Sequence, residues 1–497
     1  MRQYLFLRQR YRALIGYIGA IMAMVGLLHL VPLLLLFFYP EEVYLMPAFL
    51  AAGMPLIIGG LLFWHFFAPQ DDVTITAQEG FVAISLVWIS ASLWGGVPFI
   101  IASDLTLTQA VFESTSGWTT TGLSLVDVTT APHLILFFRS FLQLAGGAGL
   151  AIITLGTIVG PIGTSLSTAE GRADQLVPHV RQTIQIVLRM YLGYIVIGFI
   201  SLRLAGMTWF DAINHTFTAV ATGGFSTRVE SIGYWDDPII EVIVIVLMLL
   251  GSINFLVAYT VLRGKWRAVV RNAELRLVAL VLPIAAGMIF IFTTTQLDVS
   301  SVKALRLAVF EATSALTGTG FSLGSYLPWS DFGWFILILL MLLGGGTGST
   351  SGGIKQFRIY ILYKMIRWEI QRAFLPTNSV NEPAIWQGEQ RQLLNNERVR
   401  QIAIFISFYL FVFMTGSAVF MAYGFPFRDS MFEFASTLGT VGLSVGITTP
   451  DLPESLLWVQ IVSMLLGRLE FFAVIIGLSK LSKDMLYLGT GKPQSAS

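Results

Sequence analysis

Ser116-Gly-Trp-Thr-Thr-Thr-Gly122-Leu-Ser124 is a short polar hairpin that the chain writes four times. It returns as Thr218-Ala-Val-Ala-Thr-Gly-Gly224-Phe-Ser226, as Ser314-Ala-Leu-Thr-Gly-Thr-Gly320-Phe-Ser322 and as Ser436-Thr-Leu-Gly-Thr-Val-Gly442-Leu-Ser444. Each copy ends in glycine, a bulky apolar residue and serine, and each follows a brief segment of Phe, Ala and small residues. The closing glycines lie 102, 96 and 122 residues apart, the mark of an internal repeat. Four polar, glycine-rich hairpins in a hydrophobic chain predict four loops meeting on one axis, which is a pore.

The surrounding composition supports a membrane setting. Of 497 residues 55% are hydrophobic and 12% charged, and the mean hydropathy is +0.74, far outside the range of soluble domains. A net charge of +1 argues against a nucleic-acid partner, which needs a clustered basic surface. With no cysteine there is no disulfide, thiolate metal site or cysteine nucleophile. The five histidines, His29, His65, His133, His179 and His215, show no short ligand spacing. The apolar run after the basic N-terminus, about 13–38, is too long for a signal-peptide core and reads as a retained anchor helix.

Apolar stretches long enough to cross a bilayer fall near 13–38, 46–67, 80–102, 132–160, 183–206, 238–262, 275–296, 332–366, 399–424 and 455–480. Between the third and fourth lies a half-length segment, Leu107–Trp118, that ends in the first hairpin, and the pattern recurs three times. The predicted fold is an all-α polytopic membrane protein. Four pseudo-symmetric units of span, pore helix and span surround a central ion pore, after an extra N-terminal helix pair. The domains are then 1–75 (helix pair), 76–165, 166–265 and 266–370 (repeats 1 to 3, the third with a broken second span), 371–398 (cytoplasmic connector), 399–485 (repeat 4) and 486–497 (tail).

The half-helices open on capping or acidic residues: Thr106 and Thr108, Thr208 and Asp211, Ser300 and Ser301, Asp429 and Ser430. Their C-terminal ends point at the hairpins, and the partial negative charge there favours a cation. Lys and Arg in the short loops place both termini in the cytoplasm. The hairpins then enter from an outer face bearing Glu41, Glu42, Asp104, Asp127, Glu230, Asp236, Asp237, Asp331, Asp451 and Glu454, an acidic vestibule that would focus cations. The connector near 369–398 reads as a cytoplasmic loop with some helix, either a solvated link or a docking surface.

A filter dehydrates a cation by offering backbone carbonyls in place of water, in conformations that glycine adopts without steric cost. Thr120-Thr121-Gly122, Thr222-Gly223-Gly224, Gly318-Thr319-Gly320 and Thr440-Val441-Gly442 meet that need, with small hydroxyl side chains beside the glycines. On these residues the chain resembles the Trk/Ktr/HKT superfamily of potassium transporters, specifically the bacterial TrkH/TrkG type, over nearly its whole length. In that family each filter contributes a glycine, and a serine at the first such position accompanies sodium transport in some plant members. Glycine at all four places implies potassium as the transported, filter-bound ion, with no organic cofactor in this chain.

Two further features carry readings of their own. Leu342-Leu-Gly-Gly-Gly-Thr-Gly-Ser-Thr-Ser-Gly-Gly-Ile-Lys355 interrupts a span. Each interior glycine costs a helix about 1 kcal/mol relative to alanine, so the run is either a broken helix acting as a flexible gate or a close-packing face of small residues. The gate reading rests on Gly344, Gly345, Gly346, Thr347, Gly348, Ser349, Gly352 and Gly353, with Lys355 at the end, and the resemblance implies such an intramembrane loop in this third unit. Leu466-Gly-Arg468-Leu-Glu470-Phe places an arginine at bilayer depth, which calls for a partner or a watery cavity. It is either a structural ion pair or, as the family resemblance implies, a fixed positive barrier below the filter. Glu113, Glu311 and Glu433, with His215 in the second copy, occupy equivalent half-helix positions, either to brace the pore helices or to bind cations directly.

No nucleotide loop, dinucleotide fingerprint or nucleophile–base pair is present, so the chain does not read as an enzyme. The resemblance implies potassium uptake across the bacterial inner membrane by a homodimer regulated by a cytosolic, TrkA-type nucleotide-binding subunit. A sodium- or proton-coupled symporter built of inverted halves is the alternative within transport. A polytopic membrane enzyme is the alternative outside it. Only the third span-break and the intramembrane arginine of the fourth unit are expected to depart from fourfold symmetry.

Overall fold

The computed structural model describes residues 2–67, 75–103, 105–149, 180–293, 297–374, 384–387, 390–394 and 396–490. The second half of the span expected at 132–160, Asp104 and most of the tail lie outside the described residues. Six helices among those described are long and apolar enough to cross a hydrocarbon core: Tyr4–Phe37, Pro40–Phe67, Ala77–Ala102, Gln185–Leu204, Ala273–Phe292 and Asn396–Ala422. This is an all-α polytopic membrane protein.

The chain forms two compact units. The first comprises Met1–Thr119, Ser124–Leu188 and Pro453–Ser497. Its N-terminal helix pair packs through small residues spaced seven apart. A Cβ on Gly60 would lie 2.3 Å from the Gly19 carbonyl oxygen, and one on Gly26 would lie 2.6 Å from that of Gly53. Such approach between apolar helices is the packing that small residues permit in a bilayer. The second unit comprises Thr120–Leu123 and Arg189–Leu452, and so contains all four filter triplets.

Half-length helices precede every hairpin: Leu107–Trp118, Trp209–Val220, Ser301–Thr317 and Phe427–Gly439. A 12-residue helix rises about 18 Å, well short of a hydrocarbon core of about 30 Å. Three are capped by side chains, with Thr106 accepting from the Gln109 N–H, Thr208 from Asp211 and Ser300 from Lys303. The fourth has Pro426 at its N-cap without a side-chain cap, and Asp429 supplies the acidic first turn.

Three second spans are broken, where the sequence predicts only one. Helix Pro238–Ser252 stops at Ile253 before Phe255–Leu262 resumes. Asp331–Leu342 stops before the glycine run and Gln356–Arg372 follows it. Glu454–Leu469 and Phe471–Gly489 meet at 104°, with Glu470 at φ +60°. Neither additional break has a proline, and a glutamate in left-handed backbone has no local sequence signal, so composition concealed both. The connector is also corrected. It contains an antiparallel hairpin, Ala384–Gln387 against Gln390–Leu393, whose Ile385 packs with Leu394, Phe357, Ile361 and Ile402. Burial of that apolar patch favours strand over the helix expected there.

Candidate functional site

The four triplets close into a ring. A Cβ on Gly122 would lie 2.2 Å from the carbonyl oxygen of Gly223, one on Gly224 2.2 Å from that of Thr319, and one on Gly320 1.9 Å from that of Val441. Gly442 completes the circuit, with its Cβ position 2.2 Å from the Thr121 carbonyl oxygen. Each closing glycine thus abuts the carbonyl of the residue before the next closing glycine. The four have φ of +93°, +76°, +85° and +96°, a region that glycine enters freely. Close approach and backbone conformation both demand glycine at these places.

Two residues earlier, Thr120, Thr222, Gly318 and Thr440 also adopt positive φ, at +56°, +51°, +69° and +52°. For the β-branched threonines this is a strained backbone. Sequence reading had named these residues without foreseeing their conformation.

The recurring polar residue of each half-helix braces the returning strand of its own hairpin. Glu113 accepts from Ser124 Oγ at 2.9 Å, from the Leu125 N–H at 2.8 Å and from Arg139 Nε at 2.7 Å. Glu433 accepts from Ser444 Oγ at 2.8 Å and from the Val445 N–H at 3.1 Å, with Thr448 Oγ1 a further donor. Glu311 takes the Leu323 N–H at 2.7 Å and the Tyr326 hydroxyl. In the second copy His215 Nδ1 lies 2.8 Å from the Asp211 carbonyl, which can only accept, so Nδ1 carries a proton, and Nε2 lies 2.9 Å from Ser226 Oγ. An imidazole therefore takes the bracing place that a carboxylate has in the other copies.

The glycine run is a folded element and not a slack tether. Gly344 donates to Ile354 at 2.8 Å, Gly346 to Ser252 at 2.8 Å, Thr350 to Gly251 at 3.3 Å and Gln356 to Gly345 at 3.2 Å, all through backbone N–H groups. Glu274 accepts the Thr347 N–H at 2.7 Å, Ser349 Oγ donates to the Gly346 carbonyl at 2.7 Å, and the Lys355 ammonium donates to the Ser351 carbonyl. Gly348 and Gly353 have φ of +74° and +72°. Gly352 packs so closely that a Cβ would meet Thr440 Oγ1 at 2.2 Å. Thr350, which lies in the run but is not among the gate residues named from the sequence, places its Oγ1 2.9 Å from Thr222 Oγ1.

Arg468 belongs to the first unit. Its guanidinium donates to the Gly146 carbonyl at 2.7 Å and lies 5.9 Å from the Trp88 ring centroid. Gly146 is in the last turn of helix His133–Ala148, where its carbonyl also accepts the Gly149 N–H at 3.1 Å and where the helix end favours a cation.

Of the outer acidic residues, several are engaged structurally. Glu42 accepts from the N–H groups of His133 and Leu134, each at 2.8 Å, and Asp237 caps its helix through the Ile239 N–H at 2.7 Å. Asp331 pairs with Arg428 at 2.9 Å, and Asp236 with Lys303 at 2.7 Å and Arg306 at 3.0 Å. Chiefly through the Lys303 hydrogen bond, the Asp236 carboxyl is held below its ordinary range. These four carboxylates are thus engaged as helix caps and ion pairs.

Comparison with known proteins agrees with this architecture. Residues 46–487 match the family model TrkH, described as cation transport protein. The chain is 31% identical over 438 residues to the Trk system potassium uptake protein TrkH of Salmonella typhimurium, covering 85% of this chain and 89% of that one. It is 30% identical over 483 residues to the TrkH of Halomonas elongata, covering 94% and 98%. The crystal structure of the potassium transporter TrkH from Vibrio parahaemolyticus superposes with a TM-score of 0.81 at 28% identity, over 94% of this chain and 98% of that one. The chain is a multi-pass membrane transport protein, not an enzyme, and belongs to the TrkH family of cation transport proteins.

Proposed function

We propose that this protein carries potassium into the cell through the ring of four hairpins, with Thr120–Gly122, Thr222–Gly224, Gly318–Gly320 and Thr440–Gly442 as the filter. The observation that carries the reading is the cyclic contact from Gly122 through Gly224 and Gly320 to Gly442 and back to Thr121. A closed ring of carbonyl-bearing loops, each held by a half-helix with its negative end toward the hairpin, is suited to a dehydrated monovalent cation. The relatives named as potassium uptake proteins support potassium as that ion.

In this reading the loop 344–353 with Lys355 is the gate, and Arg468 is a fixed positive barrier. The protein works as a homodimer in the bacterial inner membrane, with both termini cytoplasmic and a TrkA-type nucleotide-binding subunit acting on the cytosolic side. The test is rubidium and sodium flux into liposomes holding this chain alone, with and without a membrane potential. Uptake that follows an imposed potential and favours rubidium is the expected result. Flux that requires a second ion gradient would replace the pore with a symporter.

A further inference from the structure

The strained threonines two residues before the filter glycines have an unexplained chemistry. Thr120 and Thr440 are fully buried, and neither Oγ1 has a hydrogen-bond partner among the described residues. A buried hydroxyl left unpaired is costly, and here the cost adds to that of a β-branched residue in left-handed backbone. Two such hydroxyls in equivalent places point to a ligand; in the third place Thr222 Oγ1 donates to the Ala221 carbonyl at 2.7 Å and lies 2.9 Å from Thr350 Oγ1, which still leaves its oxygen a lone pair. The fourth place has no hydroxyl of its own, because loop three carries Gly318 there.

That space is nevertheless filled by one. A Cβ on Gly318 would lie 2.6 Å from Ser351 Oγ, so the serine hydroxyl occupies the volume of the missing side chain. Ser351 is 1% exposed, and its Oγ accepts the Gly345 N–H at 3.0 Å, which fixes its position and leaves a lone pair. Its neighbours sit on the same register of the adjoining loops, Thr350 against Thr222 and Gly352 against Thr440.

We propose that Ser351 is the fourth hydroxyl ligand of an alkali-cation site completed by Thr120, Thr222 and Thr440. The site is then whole only while the loop 350–352 is seated. Ion occupancy and loop seating stabilise each other by linkage, and unseating the loop weakens the site as the path opens. This rests on the filter reading above.

The test is the potassium dependence of thermal unfolding of the full-length protein in detergent, at constant ionic strength with an organic cation as replacement. Ser351→Ala should raise the half-stabilising potassium concentration about tenfold, the effect of losing one hydroxyl contact to a charge. Ser351→Cys, close in volume, should do the same if the alanine variant does not fold. Moving the hydroxyl back, with Gly318→Thr and Ser351→Gly together, should restore the concentration to within about threefold of wild type, since threonine already tolerates this backbone in the other loops. A uniform drop in melting temperature with an unchanged potassium midpoint would make Ser351 a packing residue and overturn the proposal. So would a relocated hydroxyl that fails to recover the midpoint. If the unmutated protein shows no potassium-dependent stabilisation, the filter reading itself fails.

Discussion

Gly442 and Thr121 lie 321 positions apart in the chain, yet the α-hydrogen face of the glycine rests on the threonine carbonyl, with 2.2 Å between that oxygen and a Cβ placed on Gly442. This contact closes loop four on loop one and turns three sequential neighbours into a ring. Any side chain at Gly442 must push the carbonyl that a filtered ion would use.

Substitution of the ring glycines is therefore expected to alter selectivity before it alters expression. Gly442→Ala and Gly224→Ser should each reduce the rubidium-to-sodium flux ratio in liposomes by roughly tenfold, equivalent to about 1.4 kcal/mol at the filter. Unchanged ratio and conductance in both variants would remove these glycines from the filter.

The buried pair Glu113–Arg139 should show the asymmetry of paired charges. With exposures of 0% and 2%, Glu113→Gln leaves a guanidinium without its counter-charge, at a cost of about 3–5 kcal/mol. Melting in detergent should fall further for that single variant than for Glu113→Gln combined with Arg139→Met. Equal losses would mean that the pair is not coupled.

The hydroxyl contact between Thr222 and Thr350 is expected to hold the gate loop against the filter. Thr350→Val keeps the shape and loses this hydrogen bond together with the one to the Gly251 carbonyl at 3.0 Å, each worth about 0.5–1.5 kcal/mol, whereas Thr222→Val removes the contact from the other side. Partner-independent rubidium leak should rise by about threefold to tenfold. A leak identical to wild type would show that this contact does not restrain the loop.

One experiment separates the barrier reading of Arg468 from a purely structural one. As a barrier, its replacement in Arg468→Ala should raise cation leak while Arg468→Lys keeps it low. If it serves only to cap helix His133–Ala148, flux should fall in a well-expressed Arg468→Ala protein and the melting temperature with it.

The outer ion pairs of Asp236 predict an acid limb in stability. A carboxyl whose folded value is depressed contributes fully above its unfolded value, about 3.9, and the contribution disappears as pH falls through the folded value. Asp236→Asn, which also tolerates the φ of +42°, should melt below wild type at neutral pH, and the difference should shrink progressively as pH falls below about 3.9. Half exposure of this side chain limits the difference to under about 1 kcal/mol. A difference that persists undiminished at low pH would assign it to backbone and not charge.

Most of the architecture was legible because it is written locally. Half-helices show as apolar segments too short to span, and Thr106, Thr208 and Ser300 mark where three of them start. The second-unit break at Ile253, the bend at Glu470 and the strands around Ile385 were not legible. Each depends on what packs against it from elsewhere; the two span breaks carry no proline, and Pro383 and Gly388 beside the strands mark a loop as readily as a hairpin.

By itself the sequence determined the membrane class, the four repeats and the places of the four glycine-bearing triplets that the fold closes into a ring. Composition and spacing are properties of neighbours in the chain, and glycine in register announces a backbone requirement wherever it recurs. Only tertiary structure decided which carbonyl each glycine faces, that Glu42, Asp236, Asp237 and Asp331 serve as caps and ion pairs, and that Ser351 fills the place left by Gly318. Those facts join residues tens to hundreds of positions apart, and they are set by packing, which no local window of sequence contains.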